Sequence, residues 1–288
     1  MAIRGRVERN IPMSRLTTWR VGGPAALAVW PADEEELACV WQYGRDRGLP
    51  PLILGRGSNV LAPDEGWPGL VVITTALRRA EWRENSVRAG AGCSLALLAQ
   101  EAAARSLSGL EFACGIPGAL GGAIVMNAGA YGGDMSGLTT RVRLWSPESG
   151  GREYSGTEMG FSYRRSALPA GGRCVTEVEL RLRPDAQAAI LGRMAEYRER
   201  RRQTQPLAVA SAGSVFRNPA GDFAGRLIDR AGWKGRRIGG AEVSSRNANF
   251  IVNRGGATAA EIKELIAAVR ADVERRFRVR LETEVRIL

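Results

Sequence analysis

Residues 109–137, GLEFACGIPGALGGAIVMNAGAYGGDMSG, combine many glycines with many apolar side chains. Glycine loses more conformational freedom on folding than any other residue, so an ordered segment of this kind needs a physical reason. The usual reason is that the backbone approaches another group closely, or bends where a Cβ atom would clash. Backbone N–H groups that stay unpaired in such turns bind anions. The segment therefore predicts a phosphate-binding backbone, and tight packing against a neighbouring element is the alternative.

A second, shorter glycine turn lies at residues 55–59, GRGSN, directly after a predicted strand at residues 51–54. This order, a strand followed by a glycine turn, is favourable for binding a phosphate. It is not a dinucleotide fingerprint, because Val60 and Leu61 lead to Pro63 and no helix follows the turn. The lysine of a P-loop is also missing.

The composition describes a globular protein without export or membrane signals. The 288 residues are 44% hydrophobic, enough for one large or two modest domains. No apolar run approaches the roughly 20 residues that span a bilayer, and the N-terminal residues lack an apolar signal core. The four cysteines are scattered, which argues against a disulfide framework and against structural zinc. We therefore expect a cytoplasmic protein with no membrane insertion.

Histidine is absent from the chain. This excludes a Ser-His-Asp triad, histidine metal ligands, a histidine general base and a histidyl link to a flavin. The chemistry must use other side chains or a cofactor, and no metal site is expected.

The formal net charge of +11 raises the question of nucleic-acid binding. Only Lys234 and Lys263 are lysines, and the arginines are spread along the chain among acidic residues. This pattern indicates a compositional preference for arginine and predicts no nucleic-acid partner. A positive field also suits small anionic substrates.

The hydrophobic periodicity predicts an α+β protein with a domain boundary near Pro184. Asp33 and Glu36 predict a capped helix, as do Thr258 and Glu261. The predicted strands lie at residues 25–30, 51–54, 70–73, 86–89, 142–145, 153–154, 174–182, 250–253 and 281–287. The predicted helices begin after Asp33 and Thr258 and cover residues 94–104, 185–202 and 223–231, the last of them capped by Asp222.

Three separated segments then point to one family. They are LGRGSNVL at residues 54–61, GIPGALGGAIVMNAGAYG at residues 115–132 and AGSVFRNP at residues 212–219. As a set they resemble UDP-N-acetylenolpyruvoylglucosamine reductase, the MurB family of peptidoglycan synthesis. Further family-like segments surround them in the same order, so the resemblance covers essentially the whole chain.

The resemblance implies a two-lobed FAD-binding domain of the vanillyl-alcohol-oxidase (PCMH) type, followed by an α+β substrate-binding domain. The expected bounds are residues 1–184, with lobes of about 1–66 and 67–184, and residues 185–288. The two glycine segments would hold a non-covalent FAD through backbone N–H groups. The implied cofactor-binding residues are Gly55, Arg56, Gly57, Ser58, Asn59, Gly115, Pro117, Gly118, Gly122, Asn127, Ala128 and Gly129.

The family reaction has two halves. NADPH gives a hydride to FAD, and the enolpyruvyl ether of a UDP-linked amino sugar then takes that hydride and a proton. Family matching assigns Arg164 and Glu284 to stabilising the charge that builds on the substrate carboxylate. It assigns Ser214 to proton donation, and Asn218 and Lys234 to substrate contacts. A monomer is expected.

From the residues alone, non-catalytic roles stay open: Ser214 as a turn residue, Arg164 as a surface cation and Glu284 as an exposed strand residue. Glu282 would share a strand face with Glu284, so only the family pattern chooses between them.

The chain also departs from the family pattern at two places. Asn247 stands where family members often carry histidine, which suggests that this position is not essential. The span from Arg164 to about Asp185 is short, which indicates the subclass without an inserted tyrosine loop.

Two other classes of function stay open. Another flavin oxidase of the same fold would lack the Ser214 motif and Glu284. A nucleic-acid-binding protein would need clustered basic residues with aromatic platforms, and it would be colourless.

Overall fold

The structure is a computed structural model that describes residues 3–168 and 173–288. Its contacts divide the chain into two compact units, and each of them draws on segments that are distant in sequence. Within the described residues, unit 1 is formed by residues 3–9, Leu27–Arg56, residues 68–168 and residues 173–200, and unit 2 by Asn10–Ala26, Gly57–Trp67 and Arg201–Leu288. The division into domains at residue 184 stays a proposal.

The elements are short strands interspersed with helices, as the predicted α+β class requires. The strands are β1 Arg6–Pro12, β2 Pro24–Trp30, β3 Pro51–Leu54, β4 Val60–Leu61, β5 Trp67–Ile73, β6 Ala80–Arg83, β7 Ser86–Gly90, β8 Leu107–Ser108, β9 Gly129–Ala130, β10 Gly133–Asp134, β11 Thr139–Ser146, β12 Gly150–Ser155, β13 Cys174–Arg181, β14 Arg183–Pro184, β15 Ala210–Ser211, β16 Arg237–Ile238, β17 Ala241–Val243, β18 Ile251–Asn253 and β19 Arg286–Ile287. The α-helices are α1 Glu34–Asp46, α2 Leu95–Ala104, α3 Leu120–Val125, α4 Gln187–Thr204, α5 Ala224–Arg230 and α6 Ala259–Phe277.

The first sheet has the strand order β1-β2-β5-β3, in which β3 and β5 run parallel. Helix α1 covers it with an apolar face that includes Leu37 and Val40, both fully buried. The edge of the Trp41 ring meets Trp145 of β11, with ring centroids 5.5 Å apart. Because Trp145 belongs to the second sheet, this contact joins the two sheets in one core.

The predicted cap of α1 is present in modified form. Asp33 accepts a hydrogen bond from the Glu36 N–H, as a helix N-cap should. The Glu36 carboxylate turns instead to the N–H groups of Ala32, Arg4 and Gly5. It therefore fixes the chain before β1 as well as the start of the helix.

The second sheet is antiparallel, in the order β12-β11-β13-β7-β6. Its inner face, with Val142, Val178 and Leu180, packs against α2 and α3. Its outer face carries arginines and glutamates that pair across the strands, such as Arg88 with Glu177 and with Glu153. Such a charged outer face over a buried inner face is the pattern of a sheet solvated on one side.

Unit 2 centres on the antiparallel sheet β15-β18-β17-β16 and on helix α6. The predicted capping box of Thr258 and Glu261 is confirmed, since both of its hydrogen bonds are present. The indole N–H of fully buried Trp19 donates to the Ile251 carbonyl over 2.7 Å. An N-terminal segment thus completes the core of this unit.

Two local predictions are wrong. The N-cap of α5 is Phe223 and not Asp222, whose carboxylate pairs with Arg226 instead. Residues 281–287 do not form one strand. Thr283 makes an isolated bridge with Phe216, and only Arg286–Ile287 pairs regularly, in parallel with β4. Leu281 and Val285 are buried, as the alternation predicts, but Ile287 is exposed, and the segment pairs with two different partners.

Candidate active site

The turn at residues 55–59 has the backbone geometry of an anion nest. Gly57 is left-handed at φ +61°, and a Cβ atom there would lie 2.0 Å from the Leu16 carbonyl oxygen. Only glycine fits this position. Within the described chain, no acceptor is found for the N–H groups of these five residues. Consecutive free donors at a tight turn suit a diphosphate.

The long glycine-rich segment folds into a 3-10 helix, Glu111–Gly115, followed by α3. The N–H groups of Leu120 and Gly121 at the start of α3 donate to Cys93 and Ala91. A Cβ atom on Gly55 would lie 3.2 Å from the Cβ of Ala119. The structure therefore brings the two predicted cofactor segments into contact.

The adjacent glycines of α3 serve different purposes. A Cβ atom on Gly121 would lie 2.8 Å from that of Ala91, so this glycine allows close packing. Gly122 is exposed, and no described atom lies within 4 Å of its Cβ position. The open face of α3, beside the free N–H groups of Gly55 and Arg56, fits a bound flavin nucleotide.

Other predicted cofactor residues are engaged within the protein. The buried Asn127 side chain donates to the Ser162 carbonyl and accepts from the Ser136 N–H. Ala128 uses both its N–H and its carbonyl in backbone hydrogen bonds, and the Gly118 carbonyl accepts from Leu95. Arg56 and Pro117 are exposed, and Ser58 and Gly115 are half-buried. FAD contacts by these residues stay predictions.

Arg164 lies in unit 1, in a tight turn closed by two backbone hydrogen bonds between Ser162 and Arg165. Its φ is +56°, a left-handed conformation that is uncommon for a residue with a side chain. Its guanidinium donates to the Gly129 carbonyl over 2.6 Å. Asn127 holds the same turn at Ser162, so the glycine-rich segment positions this cation.

The absence of a tyrosine loop was predicted for a span that includes residues 169–172. Those four residues lie outside the described chain.

Ser214 and Glu284 lie in unit 2, on segments that meet. The Glu284 N–H donates to the Val215 carbonyl over 2.8 Å, and the Arg217 N–H donates to the Glu282 carbonyl. Ser214 is half-buried and follows left-handed Gly213. Within the described residues its hydroxyl makes no hydrogen bond, so it is available to a substrate.

The structure separates the two glutamates that the sequence could not rank. The Glu282 side chain is 72% exposed and pairs with Arg217, whereas Glu284 is half-buried. Asn59 donates from its side-chain amide to the Glu284 carbonyl over 3.1 Å, and its own carbonyl accepts from Arg286. The end of the turn at residues 55–59 therefore holds the backbone of Glu284.

The two weaker substrate predictions have structural partners. The Asn218 side-chain oxygen accepts from the Ala224 N–H and caps α5. The Lys234 ammonium pairs with Asp229 over 2.7 Å. Asn218 and Lys234 are both exposed, and their substrate contacts stay predictions.

Sequence reasoning missed a buried acid that anchors the glycine-rich segment. Burial alone would raise the pKa of Glu111, but hydrogen bonds from Arg193, from the Gly109 N–H and from Ser108 hold that pKa below its ordinary value. The bond from Arg193 fastens the start of the segment to α4. No local pattern shows this pair, because its partners are 82 residues apart.

Sequence reasoning also missed Asn249, which is buried and hydrogen-bonded through both side-chain atoms to Phe216. Its neighbour Asn247 accepts from the Asn249 N–H and thereby shapes the same loop.

Two protein-family models match separate regions of this chain, and individual known proteins match nearly all of it. Residues 205–288 match the family described as UDP-N-acetylenolpyruvoylglucosamine reductase, C-terminal domain, and residues 25–145 match the FAD binding domain. The reductase of Heliobacterium modesticaldum is 47% identical over 99% of this chain and 91% of its own length. The UDP-N-acetylenolpyruvoylglucosamine reductase 2 of Symbiobacterium thermophilum is 48% identical over 98% of this chain and 92% of its own length.

The chain belongs to the UDP-N-acetylenolpyruvoylglucosamine reductase family.

A solved member of the family has the same fold. The crystal structure of UDP-N-acetylenolpyruvylglucosamine reductase (MurB) from Thermus caldophilus superposes with a TM-score of 0.86 at 39% identity, and covers 98% of this chain and 99% of that one. The predicted fold is confirmed: an FAD-binding domain of the vanillyl-alcohol-oxidase type, followed by the family's C-terminal domain. The chain is a flavin-dependent oxidoreductase of the MurB family.

Two further findings concern the described residues alone. No group of three or more cysteine and acidic side chains there could hold a metal ion. Each helix in that part of the chain is too short or too polar to cross a membrane.

Proposed function

We propose that this chain reduces UDP-N-acetylenolpyruvoylglucosamine to UDP-N-acetylmuramate, with NADPH as the electron donor, in peptidoglycan synthesis. The observation that carries the proposal is that the segment of Ser214 and the segment of Glu284 are hydrogen-bonded to each other at Val215, and that Asn59, the last residue of the turn at residues 55–59, binds the Glu284 carbonyl. Another flavin oxidase on this fold would need the glycine turns, but its reaction would not require a serine and a glutamate on these two adjacent segments. The family membership supports the same choice.

The chain's own groups provide a place for a non-covalent FAD. The free N–H groups of residues 55–59 would bind the pyrophosphate, and the open face of α3 at Gly122 would lie against the cofactor. FAD, when bound, would supply the hydride-transfer chemistry that links NADPH to the substrate.

The remaining steps use side chains of this chain. As the vinyl carbon gains a C–H bond, the π electron pair moves toward the carbon that bears the carboxylate, and negative charge builds on the carboxylate oxygens. A positioned cation lowers the energy of that state, which is the role proposed for Arg164. The Ser214 hydroxyl then gives its proton to the adjacent carbon, and its alkoxide recovers a proton from water.

Glu284 completes the proposed set of catalytic residues. Its backbone is fixed by the Val215 carbonyl and by the Asn59 amide, so its half-buried carboxyl group has a defined starting position. We propose that it orients the substrate carboxylate or a water molecule beside it. Asn218 and Lys234 are proposed to contact the nucleotide portion of the substrate.

The proposal is tested on the purified chain. A yellow protein with an absorption band at about 450 nm, whose colour is released into solution by acid precipitation, identifies a non-covalent flavin. NADPH oxidation should then depend on added UDP-N-acetylenolpyruvoylglucosamine, and mass spectrometry should find a product heavier by two hydrogen atoms. A flavoprotein whose rate of NADPH oxidation does not change when that substrate is added would contradict the proposal.

A further inference from the structure

The short segment Ser214–Val215–Phe216 is held on both of its edges. On one edge the Val215 carbonyl accepts from the Glu284 N–H, and Phe216 bridges to Thr283. On the other edge the Val215 N–H donates to the Asn249 carbonyl over 2.8 Å. The position of the Ser214 hydroxyl depends on both contacts, because the segment is not part of a regular sheet.

The Asn249 side chain makes two further hydrogen bonds along the second edge of the segment. Its amide oxygen accepts from the Phe216 N–H over 3.0 Å, and its amide nitrogen donates to the Phe216 carbonyl over 2.8 Å. One side chain thus imitates the two hydrogen bonds of a strand partner. Asn249 is 7% exposed and Phe216 is 2% exposed, so water cannot easily replace these bonds.

The rest of the loop fixes Asn249 in turn. Its own N–H donates to the Asn247 side-chain oxygen, and the Phe250 N–H donates to the Asn247 carbonyl. The Ser244 hydroxyl accepts from the N–H of Arg246 and, over 3.4 Å, from that of Asn247. These bonds leave the Asn249 amide little freedom to turn away from Phe216.

We propose that Asn249 is a positioning residue for the proton-donation step, and that it acts by holding the backbone of Phe216 and so the hydroxyl of Ser214. The inference rests on the proposed function, because it assumes that Ser214 delivers the proton. A misplacement of about 1 Å at a reacting group can cost about 100-fold in rate. The amide needs no contact with substrate to have that effect.

The test separates the two half-reactions by rapid mixing. Asn249→Ala should retain FAD and accept electrons from NADPH at the wild-type rate, while reoxidation of the flavin by the enolpyruvyl substrate slows by about 10-fold to 100-fold. In a Ser214→Ala background, adding Asn249→Ala should slow reoxidation by less than about 3-fold, because the group that Asn249 positions is already gone.

A matched control comes from the same unit. Thr258→Ala removes a side-chain bond to a backbone N–H at the start of α6, in a capping box that makes no bond to residues 213–217. It should leave the ratio of the two half-reaction rates unchanged. Hydrogen exchange should show faster exchange of the Phe216 amide in Asn249→Ala but not in Thr258→Ala.

Asn249→Asp is the variant to measure if Asn249→Ala does not fold. It keeps the volume and the acceptor for the Phe216 N–H but loses the donor for the Phe216 carbonyl, and it should show the same selective loss. Unchanged reoxidation overturns the role of Asn249, and so does a loss that is equally large with and without the Ser214→Ala substitution. A wild-type chain that the substrate does not reoxidise overturns the proposed function as well, so the two failures are distinguishable.

Discussion

The side-chain amide of Asn59 donates a hydrogen bond to the backbone carbonyl oxygen of Glu284 over 3.1 Å. The two residues are 225 positions apart, yet the turn at residues 55–59 and the C-terminal segment continue side by side as the parallel pair of β4 and β19. A residue assigned to the cofactor therefore also fixes a residue assigned to the substrate. Substitutions of Asn59 should therefore affect both cofactor binding and the reaction with substrate.

Asn59→Ala should reduce FAD affinity and slow reoxidation of the flavin by substrate, while flavin reduction in FAD-saturated protein stays near wild type. Losing this bond frees the Glu284 backbone, which we expect to cost about 10-fold in reoxidation. FAD titration and rapid mixing measure the two effects. Weaker FAD binding with normal reoxidation would limit Asn59 to the cofactor.

Gly57→Ala should destabilise unit 2 and abolish FAD retention, because its Cβ atom would lie 2.0 Å from the Leu16 carbonyl oxygen. Gly48 is a matched control: it has the same φ of +61°, but apart from its own chain neighbours no atom of the described residues lies within 4 Å of its Cβ position. Gly48→Ala should therefore show only the roughly 1–2 kcal/mol cost of a left-handed alanine. Equal losses in urea unfolding for the two variants would show that the contact with Leu16 is unimportant.

The sequence could predict the structural features that are determined by residues close together in the chain. The strand at residues 51–54 and its glycine turn, the α6 capping box and the apolar faces of the helices all follow from local spacing. The family motifs added the candidate site residues, whose roles remain predictions. The 3-10 helix and α3 inside the glycine-rich segment were not predicted, since glycines there obscure helical periodicity.

What the sequence could not show depends on partners far apart in the chain. Residues 281–287 alternate as a strand should, but one part pairs with Phe216 and another with β4. Asn249 looks like any polar loop residue until Phe216, 33 positions earlier, is placed against it. The packing of Trp19 against Ile251 likewise has no local signal.

Arg164→Ala should leave FAD binding and flavin reduction by NADPH largely intact and slow reoxidation by the enolpyruvyl substrate by about 100-fold or more, a typical loss for one charge-stabilising donor. Arg164→Lys should recover only part of this, because an ammonium lacks the planar fork of a guanidinium. Rapid mixing at the flavin band measures both steps. Equal losses in the two steps would assign Arg164 to structure or to NADPH binding.

The stability of unit 1 should depend on pH through Glu36. Hydrogen bonds from the Ala32 N–H first, and from Arg4 and Gly5, lower the pKa of this buried carboxyl group from 4.5 to about 2. Because the folded pKa is depressed, its stabilisation is fully present above the ordinary value and is lost as the pH falls toward 2. Wild type should therefore exceed Glu36→Gln in urea midpoint at neutral pH, and the difference should shrink between about pH 5 and pH 2. A constant difference over that interval would refute the assignment.

The most direct test of the central claim follows reoxidation of the flavin in Ser214→Ala. Ser214 is half-buried, next to Val215, whose carbonyl holds the Glu284 backbone. The variant should fold, hold FAD and accept electrons from NADPH normally, since none of these steps needs the hydroxyl proton. Its reoxidation by UDP-N-acetylenolpyruvoylglucosamine should fall by about 10²–10⁴, the usual worth of one positioned proton donor, and Ser214→Cys should recover part of that loss. If Ser214→Ala is reoxidised at nearly the wild-type rate, Ser214 is a turn residue and the proton has another source.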